Sequence, residues 1–394
     1  MRILQVIPVF VPAWQAGGPI YVVYNLSRVL VKRGHEVYIY TTNFLDTKRN
    51  FSFSKKEYNI EGIHVIYFRN YFRSDGILIS PAMPYRFLNE FHQFDVIHIH
   101  SYRGFQDIIA YLSKKFSKKY ILQAHGSLPR IMAWRSLKRI YDVFFGYRLL
   151  RGASKVVALS QVEAEQYRAM GVPEERIAII PNGIDLSEYA DLPPKGCFKR
   201  RFGIPEEKKM ILYLGRIHKT KGIDFLIKAY AHLTNKMGVK DIVLVIAGTD
   251  DGFLNEAKAL AESLGVSSSV LFTGFISEED KLKALVDAEV FVTPSFYGFP
   301  IAFLEACAAG TPIITTSLGD TLEWIDSKVG YVTQPTPHDI AEAIYKIVSD
   351  KELRKKLSEN CENVVKSNFS IENVVSKLED VYKEVFKTDL LKPR

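Results

Sequence analysis

Residues 293–312 combine a loop and a helix start in a way that suits an anionic ligand. Gly298 and Pro300 follow an apolar strand pattern and predict a tight loop, and residues 301–309 predict a helix. The first turn of a helix attracts an anion because it has free N–H groups at the positive end of the helix dipole. Glu305, in this helix, has two carboxylate oxygens that suit a vicinal diol. The alternative is that the loop only shapes a turn and that Glu305 is solvated.

A second strand, loop and helix pattern lies upstream, at residues 211–224. An apolar strand pattern ends at Gly215, and two cations, Arg216 and Lys221, precede the next predicted helix. Two positive side chains beside another helix start suit a ligand with two negative charges. The sequence therefore predicts a diphosphate site at this element.

Together, the two elements resemble the retaining nucleotide-sugar glycosyltransferases of family 4, which have the GT-B fold. Arg216 and Lys221 match the family's Gly-Arg-x4-Lys-Gly motif, which implies that they hold the donor diphosphate and support catalysis. Glu305 matches the second of two family glutamates and is expected to hold the nucleotide ribose. At the first of those positions this chain has Tyr297, whereas the family has a glutamate that contacts the transferred sugar. A phenol can still hydrogen-bond a sugar hydroxyl, but it has no charge.

The resemblance assigns further residues of the second half to the donor site. The loop residues Gly298, Phe299 and Pro300 are expected to border the bound donor, beside Tyr297. The backbone around Phe275 and Ile276 is expected to meet the nucleotide base.

Three residues of the first half are candidates by the same resemblance. Gly17 and Gly18 lie between a predicted strand and a helix expected at residues 20–33, and they are expected to approach the donor phosphate and the acceptor. His125 ends a predicted strand and is expected to contact the donor sugar near the reacting centre. The residues alone leave open a plain turn for the glycine pair and a structural role for the histidine.

Two further histidines, His98 and His100, share one face of a predicted strand. A pair so placed could bind a metal, but no third ligand is close in sequence. We expect His100, at the end of its strand, to line the cleft.

The length and the strand and helix patterns predict an α/β protein of two domains. At 394 residues the chain exceeds what one hydrophobic core usually fills. The resemblance implies two Rossmann-like domains that face each other across a cleft. We expect an acceptor-binding domain at residues 1–185, a nucleotide-sugar-binding domain at residues 186–370, and a C-terminal helix within residues 371–394 that crosses back to the first domain.

Composition narrows the class of protein and its compartment. A hydrophobic content of 47% and a charged content of 24% are ordinary for a globular protein. Three widely spaced cysteines, Cys197, Cys307 and Cys361, favour neither a disulfide framework nor a metal cluster, so we expect a cytoplasmic protein. No apolar run is long enough to predict a membrane-spanning helix.

Residues 101–151 are strongly basic, with 11 Lys and Arg against 2 Asp and Glu. Within them, residues 129–150 predict a helix with Arg135, Lys138 and Arg139 on one face, and another face is formed by Trp134, Leu137, Tyr141 and Phe144. Such a helix can lie on an anionic membrane surface. The alternative is that its apolar face is core and its basic face is solvated. We expect no nucleic acid partner, because no recognition motif accompanies the charge.

The resemblance implies transfer of a hexose from a nucleotide-diphosphate sugar to a glycan or lipid-linked acceptor, at the cytoplasmic face of a membrane. Since Arg216 and Lys221 can neutralise the leaving diphosphate, we expect no metal and no other cofactor. No general base beside an acceptor is evident, which agrees with a retaining mechanism. Two alternatives stay open: a non-catalytic nucleotide-sugar-binding protein, suggested by Tyr297, and a soluble storage-polysaccharide or disaccharide synthase.

Overall fold

The chain forms two units, one built on a mainly parallel sheet and the other on a parallel sheet. The computed structural model describes residues 1–46, 49–52, 55, 57–74, 77–130, 134–320 and 322–390. Unit 1 comprises Met1–Gly183 and the segment from Ile371 onward, and unit 2 comprises Ile184–Ser370.

The main sheet of unit 1 has eight strands within the described ranges, and a two-stranded ribbon accompanies it. The strands are β1 (Arg2–Val6), β2 (Glu36–Thr42), β3 (Glu57–Ile60), β4 (Ile63–Phe68), β5 (Phe72–Ser74), β6 (Ile77–Ile79), β7 (Val96–His100), β8 (Tyr120–Gln123), β9 (Lys155–Ala158) and β10 (Ile177–Ile179). The main sheet runs in the order β10-β9-β8-β7-β1-β2-β4-β3, with β5 and β6 in the ribbon. Its pairs are parallel except β3 with β4.

Helices cover the main sheet of unit 1. They are α1 (Gly18–Lys32), α2 (Ala82–Glu90), α3 (Asp107–Lys115), α4 (Arg135–Tyr141), α5 (Tyr147–Gly152) and α6 (Gln161–Ala169). The helix expected at residues 20–33 begins earlier, at Gly18, and has Pro19 in its first turn. Proline suits that place because the first helical N–H groups have no partner within the helix.

Unit 2 has a six-stranded sheet within the described ranges, and all its pairs are parallel. The strands are β11 (Lys209–Leu214), β12 (Ile242–Ala247), β13 (Val270–Gly274), β14 (Ala288–Phe296), β15 (Ile313–Gly319) and β16 (Gly330–Thr333). The helices are α7 (Cys197–Arg201), α8 (Ile223–Asn235), α9 (Leu254–Ser263), α10 (Glu278–Asp287), α11 (Ile301–Ala308), α12 (Pro337–Ser349) and α13 (Lys351–Asn368). The strand order is β13-β12-β11-β14-β15-β16.

Apolar strands occupy the centre of both sheets. Every residue of β12 is buried, as is every residue of β7. Strands buried on both faces need side chains that are apolar or hydrogen-bonded within the protein, as His98 and His100 of β7 are. The parallel arrangement supplies helices for both faces. In each sheet the carboxyl ends of the parallel strands meet at one edge, where α/β proteins bind ligands.

The last helix, α14 (Ile371–Leu390), packs in unit 1 against α1 and β7. Arg33, directly after α1, pairs with Glu379 at 2.8 Å, and His35 hydrogen-bonds the same carboxylate at 2.9 Å. Tyr382 is fully buried and its hydroxyl lies 2.8 Å from Nδ1 of His98. Residues 391–394 of the expected C-terminal helix lie outside the described ranges.

The helix expected at residues 129–150 begins later, at Arg135, and continues through a π-helical turn to Gly152. Helix α4 begins at Arg135, a π-helical turn follows at Asp142–Gly146, and α5 begins at Tyr147. The buried Asp142 explains the turn, since it accepts hydrogen bonds from Tyr102 at 2.7 Å and from Arg103 and Arg130 at 2.8 and 2.6 Å. Residues 131–133 lie outside the described ranges.

The apolar face of α4 and the π-helical turn is exposed and is not core. More than half of each of six side chains is accessible to solvent, namely Trp134, Leu137, Ile140, Val143, Phe144 and Phe145. The interpretation of this face as core is therefore wrong, except that Tyr141 turns inward and donates to Asp107 at 2.5 Å. Among the described residues, no helix is both long and apolar enough to cross a membrane.

Candidate functional site

The start of α11 in unit 2 has no side-chain cap. Pro300 stands at the capping position and offers no side-chain acceptor to the first N–H groups. Gly298 before it has a φ of +78°, a backbone conformation that glycine adopts without strain, and its N–H donates to Asp320 at 2.5 Å. Phe299 is buried against Trp324 and Phe369. The loop is therefore held rigid while the helix start stays available to an anion.

Glu305 on α11 is held by a residue that sequence reasoning missed. Lys281 of α10 donates to Oε1 of Glu305 at 2.6 Å, and the Glu305 side chain is only 13% exposed. Burial lowers the pKa of Lys281, but its attraction to Glu305 and Glu278 outweighs burial and raises the pKa overall. Glu305 is thereby fixed in direction, and Oε2 has no hydrogen bond within the described part of the chain.

Arg216 and Lys221 lie beyond the carboxyl end of β11. Arg216 pairs with Asp251 at 2.6 Å, and its side chain is 59% exposed. Lys221 makes no ion pair with any described residue, and burial together with the charge of Arg216 lowers its pKa. Because Asp251 pairs with Arg216 alone among the described residues, the two neighbouring cations leave positive charge for an anion to neutralise.

The turn that carries Lys221 lies against the strand that leads to the α11 loop. Gly222 has a φ of +70°, and a Cβ added there would lie 2.9 Å from Cβ of Pro294 and 3.6 Å from Cβ of Ser295. The structure therefore brings the Arg216 and Lys221 element beside the loop of Tyr297 and Gly298, as expected if both serve one ligand.

The strand ends beside this element approach each other closely. Gly215 has a φ of +155° and Gly248 a φ of +151°. A Cβ added to Gly248 would lie 1.8 Å from the carbonyl oxygen of Gly215. The backbones after β11 and β12 can therefore lie together only because glycine stands at position 248.

Two aromatic side chains of unit 2 remain open to solvent at candidate positions. Phe275 is 69% exposed in the loop after β13, where Ile276 is half-buried. Tyr297 is 37% exposed in the loop after β14. Both follow strands of the same sheet edge as Lys221, so their rings can contact a ligand at that edge.

In unit 1, Gly17 and Gly18 form the start of α1. Gly17 has a φ of +128° and no side chain with which to cap the helix. A Cβ added there would meet only Pro19, at 3.9 Å, so the backbone conformation rather than space requires glycine. This start leaves the N–H of Gly18 without a side-chain cap, whereas Pro19 has no N–H and the N–H of Ile20 donates to the Gly17 carbonyl at 3.3 Å.

His125 lies in unit 1 at the end of β8, in a left-handed conformation with a φ of +51°. Non-glycine residues adopt this conformation rarely, and often at functional sites. The buried Glu163 holds the turn, accepting from Gly126 N–H and from Leu159 N–H, both at 2.7 Å. These contacts from Glu163 of α6 therefore hold the turn of His125 in its strained conformation.

His125 belongs to a buried chain of hydrogen-bonded side chains. Its Nε2 lies 3.0 Å from Nδ1 of His100, whose Nε2 lies 2.7 Å from Oε1 of Gln5. Gln5 in turn donates to Ser27 at 3.1 Å. With this orientation of the Gln5 amide, His100 donates to Gln5 and accepts from Nε2 of His125. Nδ1 of a neutral His125 is then a hydrogen-bond acceptor for a ligand.

Burial keeps all three histidines neutral. It lowers the pKa of His98 to about 3 and that of His125 to about 4. Burial also lowers the pKa of His100 well below its ordinary range, with the help of the two neighbouring rings. Among the described residues, no three His, Cys, Asp or Glu side chains are arranged to hold a metal.

We expect acid to destabilise unit 1 through these histidines. Between about pH 6.5 and pH 4 the histidines become protonated in the unfolded chain but stay neutral in the folded protein. The free energy of unfolding therefore falls as pH falls, by up to about 1.4 kcal/mol per pH unit for each histidine. Urea unfolding at pH 7 and pH 5 measures this. Replacement of the exposed His92 by glutamine should leave the dependence unchanged, whereas His98→Gln should reduce it. Equal stability of the parent protein at both pH values would contradict the expectation.

Two family models match most of the chain. Residues 16–188 match the model described as Glycosyltransferase Family 4, and residues 196–364 match the model described as Glycosyl transferases group 1. An uncharacterised glycosyltransferase of Methanocaldococcus jannaschii is 29% identical over 375 residues, covering 91% of this chain and 92% of that protein.

Two further proteins, one compared by sequence and one by structure, are also similar to this chain. The UDP-Gal:alpha-D-GlcNAc-diphosphoundecaprenol alpha-1,3-galactosyltransferase of Escherichia coli is 24% identical over 301 residues, covering 74% of this chain and 75% of that protein. The crystal structure of HepE of Anabaena in complex with UDP and glucose has a TM-score of 0.77 at 16% identity, covering 98% of this chain and 100% of that one. The chain therefore belongs to the family 4 glycosyltransferases, with the α/β architecture of the GT-B fold.

Proposed function

We propose that this protein transfers a hexose from a nucleotide-diphosphate sugar to a glycan or lipid-linked acceptor, with retention of the anomeric configuration. The observation that carries the proposal is the half-buried Lys221, without an ion pair in the described chain, beside Arg216. The turn that carries this lysine lies against the strand leading to the uncapped start of α11. The UDP-Gal in the name of the galactosyltransferase and the UDP bound in the HepE crystal structure are consistent with this assignment.

Each candidate residue then has a role in binding the donor. Arg216 and Lys221 hold the diphosphate and neutralise it as it leaves, which supports turnover without a metal ion or another cofactor. Glu305 accepts hydrogen bonds from the ribose. Phe275 and Ile276 border the base.

The remaining candidates are assigned to the transferred sugar, the donor phosphate and the acceptor. Tyr297 contacts it through the phenol, and the backbone of Gly298, Phe299 and Pro300 lines the donor site. His125 accepts a hydrogen bond from a sugar hydroxyl through Nδ1. The backbone of Gly17 and Gly18, with the N–H of Gly18 as a donor, approaches the donor phosphate and the acceptor.

Retention follows if the departing phosphate takes the proton of the acceptor hydroxyl on the face from which it leaves. The bond from the anomeric carbon to the phosphate oxygen breaks, and the bond to the acceptor oxygen forms on the same face. Incubation with labelled UDP-hexoses and a lipid-glycan extract tests transfer, and NMR of the product's anomeric proton tests retention. An inverted product would contradict the mechanism, and an absence of product with every donor would contradict the function.

Tyr297 favours a second candidate, a nucleotide-sugar-binding protein without transfer. We expect Tyr297→Glu to discriminate between the two. If the phenol supports transfer, the parent protein already forms labelled product, and the substitution changes the rate at which it does so. If transfer has been lost at this position, only the variant forms labelled product, while the parent protein binds the donor and forms none.

We expect Lys281→Met to weaken binding of UDP by about 10-fold to 100-fold, because Glu305 loses the charged hydrogen bond that orients it. Isothermal titration calorimetry measures the dissociation constant. Lys283→Met is the matched control, since Lys283 pairs with Glu279 on the same helix and does not contact Glu305. Equal affinities for the two variants would contradict the role of Lys281.

We also propose that α4 and the π-helical turn attach the protein to the cytoplasmic face of an anionic membrane. Six exposed apolar side chains lie beside Arg135, Lys138 and Arg139, which combines apolar area with positive charge. Because Asp142 anchors the turn inside the unit, Val143, Phe144 and Phe145 are held outward.

Co-sedimentation with liposomes that contain phosphatidylglycerol tests this attachment. The double variant Phe144→Ser with Phe145→Ser should bind roughly 100-fold more weakly, since each buried phenylalanine contributes about 1.5 kcal/mol or more. Tyr345→Ser, an exposed aromatic of unit 2, should bind as the parent does. Failure of the parent protein to co-sediment would favour the soluble polysaccharide or disaccharide synthase.

A further inference from the structure

A pocket of about 1040 Å³ in unit 1 lies apart from the candidate residues named so far. Its walls come from the carboxyl ends of β2 and β4, from residues 50–52, and from α2. Its volume is that of a site for a small molecule or a short oligomer.

Aromatic rings form one part of the lining. Tyr71 and Tyr85 are 67% and 72% exposed, so their faces are available to a ligand. The guanidinium of Arg69 lies 5.3 Å from the ring centroid of Tyr71, within the range of a cation–π contact. Deeper in the pocket, Phe51 packs edge-on against Tyr67 with ring centroids 4.8 Å apart. Exposed ring faces suit the C–H faces of a pyranose, which are apolar while the edges carry hydroxyls.

The charges in the lining are largely paired with each other. Arg86 donates to Glu57 at 2.6 Å and to Glu90 at 2.9 Å. Tyr40 also donates to Glu90, at 2.6 Å. These bonds raise the pKa of Arg86 despite its burial, so the guanidinium stays charged and paired. Unlike the Lys221 site, this pocket does not hold an uncompensated cluster of cations, which favours an uncharged ligand over a phosphate.

Amide side chains supply the polar contacts that hydroxyl groups need. Asn50 and Asn89 line the pocket beside Tyr71 and Tyr85. Asn89 donates to the Tyr85 carbonyl at 3.1 Å, and its Oδ1 has no hydrogen bond within the described ranges. Asn43 is committed to the protein, since it bonds Phe51 and Asn70. Amides both donate and accept, which matches sugar hydroxyls.

The pocket lies at the same sheet edge as the start of α1. Strands β1 and β2 are neighbours, and the Tyr67 hydroxyl in the pocket wall donates to the Val11 carbonyl at 2.6 Å, in the loop that leads to Gly17. A ligand in the pocket would therefore lie beside the loop that approaches the acceptor in the proposed function.

We propose that this pocket binds an uncharged pyranose unit of the acceptor glycan, with Tyr71 and Tyr85 against its C–H faces and Asn50 and Asn89 on its hydroxyls. The proposal rests on the proposed function in placing the acceptor in unit 1. The proposal states that the part of the acceptor in this pocket is a saccharide, whether or not a lipid is attached elsewhere on the acceptor.

Saturation-transfer NMR tests the pocket with methyl glycosides and disaccharides of glucose, galactose, mannose and N-acetylglucosamine as probes. At least one probe should receive saturation from the parent protein. Tyr85→Ala and Tyr71→Ala should each weaken its binding by about tenfold, the effect of losing an aromatic contact. Tyr111→Ala, which removes an exposed tyrosine elsewhere in unit 1, should not change it.

A calorimetric titration with UDP separates this proposal from the proposed function. Tyr85→Ala should bind UDP as the parent does. If UDP binds but no saccharide does, or if both tyrosine variants bind the saccharide unchanged, the pocket assignment is overturned while the donor site stands. If saccharides bind through the tyrosines but no sugar is transferred from any donor, the proposed function is overturned while the saccharide pocket stands.

Discussion

Replacement of Lys221 by alanine is expected to lower kcat/KM for the sugar donor by about 10²-fold to 10³-fold. The loss of one preorganised hydrogen-bond donor that stabilises developing negative charge has an effect of this size in other enzymes. Lys221 has no ion pair in the described chain, and burial and Arg216 lower its pKa. A bound diphosphate would relieve that unfavourable environment, most strongly when negative charge builds up on the leaving group. Hydrolysis and transfer of labelled UDP-sugar measure the effect.

Lys219→Ala is the matched control for this experiment. Lys219 lies two positions away on the same short turn but is exposed. Its loss should change kcat/KM by less than about threefold, because an exposed charge is screened by water and salt. A Lys221 variant as active as the Lys219 variant would show that the diphosphate does not bind here.

Replacement of Gly248 by alanine is expected to destabilise unit 2 by more than about 4 kcal/mol, the range of severe core substitutions. The new Cβ would lie 1.8 Å from the Gly215 carbonyl oxygen, and backbone cannot move aside as a flexible side chain can. The N–H of Gly248 also donates to Gly274 at 2.9 Å, so a shift would disturb three strand ends together. Urea unfolding of the purified protein measures the loss of stability.

Gly252→Ala separates crowding from backbone strain. Gly252 also has a positive φ, +87°, but a Cβ there would meet nothing within 4 Å. Its replacement should cost only about 1 to 2 kcal/mol, the usual penalty for a left-handed non-glycine residue. If the two alanine variants proved equally stable, the close approach of the strand ends would not be what requires glycine at 248.

The strands and the α/β class could be predicted because they depend on local pattern. The run that predicts β11 ends at Gly215, and the structure ends that strand at Leu214. The helix after Pro300 was likewise predicted, since proline and glycine mark its start whatever lies around it. Family resemblance, confirmed by the two matching models, supplied the class of enzyme.

Contacts between distant elements could not be predicted. Lys281 reaches Glu305 from another helix, and its sequence neighbours give no sign of it beyond a lysine on an amphipathic helix. The same holds for Gln5 and His100, which align His125 from two other strands. The π-helical turn within the helix expected at residues 129–150 begins at Asp142, which turns inward to Arg103, a contact across 39 positions.

The way unit 2 begins and ends has a use in protein engineering. Ile184 N–H donates to the Phe369 carbonyl at 2.9 Å, and Ile184 pairs with Ser370, so the first and last residues of the unit are neighbours. In unit 1, a Cβ on Gly183 would lie 3.0 Å from Cα of Ile371. Residues 184–370 can thus be excised as one cassette and exchanged for the corresponding cassette of a relative, with both splice points falling at a single spot. Chimeras made this way would transplant one half of the enzyme's selectivity without redesigning the other.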